Sequence, residues 1–75
     1  MRILDQRKET IINTDHIREI YACYDGKVKG LINDTVDILI LGEYNSKEEA
    51  KKVVNQIFNC MQSYLRTYEM PKKGN

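Results

Sequence analysis

The apolar residues of the C-terminal third recur at helical spacing. Ala50, Val53, Val54, Ile57, Phe58, Met61, Tyr64, Leu65 and Tyr68 follow one another at steps of three and four along one face. At about 100° per residue they form a stripe about 140° wide, which predicts one amphipathic helix over residues 46–68. Ser46 and Glu49 stand three apart at its start. They form a capping box in which the Ser46 hydroxyl accepts from the Glu49 amide and the Glu49 carboxylate reaches back to the Ser46 amide. Glu48 and Glu49 also suit the positive end of the helix dipole. Pro71 forbids continuation at the far end, so the helix is expected to fray near Glu69 and residues 71–75 to form a disordered tail.

Upstream the pattern changes to short β-branched runs separated by turn residues. Strands are predicted over residues 2–5, 10–13, 17–24, 28–32 and 36–44. Asn13, Thr14 and Asp15 can bend the chain through side-chain bonds to nearby backbone. Asp25-Gly26 is the strongest hairpin signal, read as a type I′ turn. Gly30 interrupts its strand and is read as the mark of a bulge. Short turns between consecutive strands favour an antiparallel meander, with the helix across one face. The expected architecture is α+β: a single domain over residues 1–70, with about five strands and one long C-terminal helix.

The last strand has a further implication. Val36, Ile38 and Ile40 alternate with Leu39 and Leu41, so both of its faces are apolar. A one-sided antiparallel sheet alternates apolar with polar residues. One helix covers one face, so the other needs a second cover. The face holding Val36, Ile38 and Ile40 is therefore the candidate oligomer face, with a homodimer or higher self-assembly expected.

Composition narrows the function classes. The chain has 75 residues, 41% hydrophobic and 31% charged, which is the composition of a folded domain. A chain this short buries only about 60% of the surface its unfolded state exposes. Twelve basic residues against eleven acidic ones leave a net charge of +1, and the basic positions are interleaved with acids, so nucleic acid is a disfavoured partner. Five tyrosines could stack bases if exposed on a sheet, but Tyr64 and Tyr68 belong to the helix stripe, while Tyr21, Tyr24 and Tyr44 are left undetermined. No apolar run approaches the roughly 18 residues of a membrane span, and the first residues lack signal-peptide character. A cytoplasmic location without membrane contact is expected. Cys23 and Cys60 then stay reduced and read as small hydrophobes, with a disulfide or redox pair as the alternative.

Candidate chemistry is sparse. His16, the only histidine, sits in a turn beside Asp15, where a solvated residue is the ordinary reading. No nucleophile motif and no closely spaced His or Cys pair is present, so no catalytic residue, metal or cofactor is expected. Asp34 and Asp37 alone do not make a calcium loop. Lys27 and Lys29 flank a hairpin and are a candidate anion contact. The polar face of the helix carries Asn55, Gln56, Asn59, Gln62 and Ser63, with no charge between Lys52 and Arg66. Interfaces are depleted of charge at their centres, so these five residues are a candidate partner face, against the alternative that amides are simply tolerated there.

The run Leu41-Gly42-Glu43-Tyr44, then Ser46-Lys47-Glu48-Glu49-Ala50-Lys51, resembles small proteins of Gram-positive bacteria and of their phages and mobile elements. Ile11-Ile12-Asn13-Thr14-Asp15 is also similar to their opening segment. The resemblance extends over most of the chain to about Met61 and carries no functional residue with it. It implies a phage or mobile-element origin, and a host protein, defence components included, as the partner. The expected function is therefore a non-enzymatic binding protein that acts by protein–protein interaction as a homo-oligomer. The alternatives are a small-ligand protein holding a nucleotide or another anion and, more weakly, a nucleic-acid accessory protein.

Overall fold

The computed structural model describes residues 1–74 and has an α+β architecture. Its six strands form two three-stranded sheets in place of the expected five-strand meander. The first sheet contains β1 (Arg2–Leu4), β2 (Ile11–Asn13) and β6 (Thr67–Glu69), with β1 in the centre. The second is a true meander of β3 (Ile17–Ala22), β4 (Lys27–Ile32) and β5 (Ile38–Glu43). The helix α1 (Lys47–Gln62) lies against β3 and β4.

The helix is shorter than the periodicity predicts, and its end is well defined. The Tyr64 amide donates to the Met61 carbonyl, and the Leu65 amide to that of Cys60. These are the two bonds of a Schellman motif, with Tyr64 in the left-handed conformation at φ 58°. Glycine is the usual occupant of that position, so a tyrosine gives no stop signal to a reader of the sequence. The helical spacing of Tyr64, Leu65 and Tyr68 is coincidental. Tyr64 is 91% exposed. Tyr68 lies in β6, paired in parallel with Ile3 of β1.

The start of the helix follows the expected chemistry with a shift of one residue. Ser46 Oγ accepts from the Glu49 amide at 3.2 Å, but the Glu49 carboxylate accepts from the amide of Asn45, not Ser46. At the 3-10 turn Thr14–His16, the Asn13 side chain accepts from the Asp15 amide at 3.0 Å.

The Asp25-Gly26 hairpin is not a type I′ turn. Only Gly26 has positive φ, at 89°; the Cys23 carbonyl accepts from its amide, and the Cys23 amide donates to Lys27 at 2.8 Å. This is a three-residue loop that ends in a left-handed glycine. The Asp25 carboxylate accepts from the Lys27 amide, which holds Asp25 below the usual carboxylate range. Gly30 marks no bulge. The β4–β5 register shifts between Val28 and Lys29, where Leu41 is the extra residue opposite them, and the β3–β4 register shifts between Ile17 and Glu19. A Cβ at Gly30 would meet the Ile17 side chain at 3.4 Å, in ordinary van der Waals contact.

The core draws on every layer. Ile3 and Ile12 come from the first sheet, Val28 and Leu41 from the second, and Ala50, Val53 and Ile57 from the helix. Tyr44 and Met70 complete it. Gln6 joins the sheets, and Asp5 beside it shapes the turn that leads there. Asp5 is buried and accepts from the amides of Glu9 and Thr10, which shapes the turn after β1. Gln6 behaves as a one-residue strand. Its amide donates to Leu41, and its side chain both accepts from the Glu43 amide at 2.8 Å and donates to the Glu43 carbonyl at 2.9 Å. The outer edge of β5 is thereby closed at its end, at Leu41 and Glu43.

Of the C-terminal segment 71–75, residue 75 lies outside the described residues. The Pro71 carbonyl accepts from the Tyr44 hydroxyl at 2.9 Å and from Gln6 Nε2 at 3.2 Å. The Gly74 carbonyl accepts from the Asn45 side chain.

Candidate functional site

Gln6 closes only the end of the β5 edge, whereas the β3 edge of the meander is open along its length and lies beside the helix. No strand among the described residues pairs with the outer side of β3. Which of its groups face outward follows from the antiparallel ladder. Cys23 donates to Lys27, so bonded pairs recur at Tyr21–Lys29 and Glu19–Leu31. The N–H and C=O groups of Ile20 and Ala22 therefore point away from β4 and meet no strand. Their side chains lie on the helix side, half-buried against the core.

The helix supplies the opposite wall. Lys47, Lys51, Val54, Phe58 and Met61 recur at steps of three and four along one flank. Between that flank and β3 runs a depression in two parts that meet at Val54. One part, about 340 Å³, is lined by Ile17 to Ile20 together with Ile57, Phe58 and Met61. The other, about 280 Å³, is lined by Ala22, Lys47, Lys51 and Asn55. Phe58 is 57% exposed and Met61 40%. Both were expected in the core. The buried stripe is narrower, Ala50, Val53 and Ile57, because a three-stranded sheet this short offers the helix less surface than the stripe could cover. The excess apolar area is left facing the groove.

This site was not among the sequence-derived candidates. Its signal existed in the excess width of the stripe, but the open edge depends on strand order, which local pattern does not determine. Asn55, Gln56, Asn59, Gln62 and Ser63 are all exposed on the helix or at its end. Asn55 lines the groove beside Ala22, Ser63 is the C-cap, and Gln56 accepts from the Tyr68 hydroxyl at 2.8 Å. Burial raises the Tyr68 hydroxyl above its ordinary range, with nearby Cys60 adding to the effect.

The remaining candidates lie elsewhere. Ile38 and Ile40 are 52% and 53% exposed, in register with Leu31 and Lys29 on the face of the second sheet away from the helix. Val36 is exposed and precedes the strand, so it is not part of that row. Lys27 is paired with Asp25 at 3.4 Å, and Lys29 stands between Tyr21 and Ile40. The structure thus brings Lys29 together with Ile38 and Ile40, and separates them from the helix amides. His16 is exposed, and its carbonyl accepts from the Asn33 amide. Cys23 and Cys60 are half-buried free thiols. Among the described residues no cluster of three His, Cys, Asp or Glu side chains is placed to hold a metal, and no helix is long and apolar enough to cross a membrane. Compared with known protein families, curated proteins and solved structures, the chain matches none.

Proposed function

We propose that this protein is a non-enzymatic binding protein that takes an extended segment of a partner protein as an added strand along β3. The observation that carries the reading is the unpaired edge at Ile20 and Ala22 beside an apolar groove. Strand addition needs both parts: a row of free backbone donors and acceptors gives affinity, and pockets for alternate side chains give selectivity. An open, half-apolar edge is otherwise an aggregation hazard that folded proteins blunt or cover. Here Gln6 covers the end of the opposite edge, at Leu41 and Glu43, and no strand among the described residues covers this one. The resemblance to small phage proteins makes a host protein the natural donor of the segment.

A displayed library of random peptides tests this. The chain is expected to enrich peptides that bind in extended form. Phe58→Asp puts a charge in the apolar part of the groove at an already exposed position. It is expected to leave the fold intact and to weaken those peptides by about ten-fold or more. Equal binding by the variant, or no enrichment over an unrelated protein, would contradict the proposal.

A further inference from the structure

Resting on strand addition at β3, we infer that the segment taken up is acidic: it turns one large apolar side chain toward Phe58 and Met61, and a carboxylate on the same face toward Lys47 and Lys51. The groove is chemically divided along its length. Its apolar part lies beside Ile20, and its basic part beside Ala22. An added strand turns every second side chain toward the helix, about 6.8 Å apart. A residue opposite Ile20 therefore enters the apolar part, and the next on the same face approaches the lysines. Lys51 and Phe58 are seven residues apart on the helix, about 10 Å along its axis, so the acid stands two or four residues from the apolar anchor.

The lysines are free to meet a carboxylate. The ion pairs among the described residues are Arg7–Asp5, Lys8–Glu69 and Lys27–Asp25, and neither Lys47 nor Lys51 takes part. The Lys47 ammonium is held 3.8 Å above the Tyr24 ring, at the end of the groove. Arg18 and Glu19 flank the apolar part and offset one another, so the net positive charge lies at the Lys47–Lys51 end. A second copy of this chain is a poorer occupant. Its β3 would turn Ile20 and Ala22 toward the helix, neither of them acidic, and would leave both lysines unmatched.

Double reversal, Lys47→Glu with Lys51→Glu, tests the charge preference. Acidic residues near a helix start suit the dipole, so the variant is expected to fold. The probes are random peptides of about ten residues, long enough to span the six residues of β3. The native chain is expected to enrich Asp or Glu two or four positions from a large apolar residue. The double variant is expected to bind those peptides about ten-fold more weakly at low salt and to enrich Lys or Arg at the same position. Peptides enriched without an acid, or affinities unmoved by the reversal, overturn this inference while strand addition stands on the Phe58→Asp result. No peptide enriched by either protein overturns both. A dimer in light scattering that peptides dissociate overturns the choice of partner in favour of a second copy.

Discussion

Gly26→Ala is expected to lower the unfolding free energy by about 3 kcal/mol, read as a drop in the urea midpoint with an unchanged slope. Two costs combine. At φ 89° the residue sits where a side chain is strained. A Cβ there would also overlap the carbonyl oxygen of Tyr44 and press on the Ser46 amide at 3.2 Å. Both neighbours are backbone, so no side chain can swing aside. The same residue closes the hairpin by donating to Cys23, and its carbonyl accepts from the Tyr44 amide at 2.9 Å, just before the helix cap. A strained turn thus disturbs the end of β5 and the entry to the helix together. For a chain this short the loss is a large part of the total stability. A change below about 0.5 kcal/mol would contradict this account of the turn.

Alkaline unfolding is the second large effect. The Tyr44 ring is buried and its hydroxyl donates to the Pro71 carbonyl at 2.9 Å. Burial pushes this phenol from its ordinary 10.0 up to about 12. The folded state therefore holds the proton more tightly than the unfolded chain does. The stability this confers is complete below pH 10 and is lost as pH rises toward 12. The loss is expected to be about 2–3 kcal/mol. Tyr44→Phe keeps the ring and removes the proton, at a cost of about 1 kcal/mol for the missing hydrogen bond at neutral pH. Its stability is expected to fall much less over the same range. Parallel pH curves for the two proteins would show that Tyr44 does not control the transition.

Local chemistry was readable along the chain, and long-range pairing was not. The capping Ser46, the Asn13 bend and the hairpin glycine Gly26 act within a few residues of themselves, and each appears where the pattern placed it. The α+β class followed from the same signals. β6 did not, because its partner β1 lies at the other end of the chain and pairs with it in parallel. Three residues at helical spacing with no glycine to stop them read as more helix. Gln6 reads as an ordinary turn residue, yet it bonds the end of β5 and ties the two sheets together. Alternation showed that both faces of the last strand are apolar, but not that Ile38 and Ile40 would be the exposed ones. The groove was not, because it depends on which strand lies at the edge and how far the sheet reaches beneath Phe58 and Met61.

Backbone amide exchange along β3 tests the central claim most directly. In the free protein Ile20 and Ala22 are expected to exchange at least about ten-fold faster than Tyr21, whose amide bonds to β4. With a saturating enriched peptide both are expected to slow by about ten-fold or more, while Tyr21 changes little. Protection of Ile20 and Ala22 equal to that of Tyr21 in the free protein, or rates unmoved by the bound peptide, would contradict an open edge that takes up a strand.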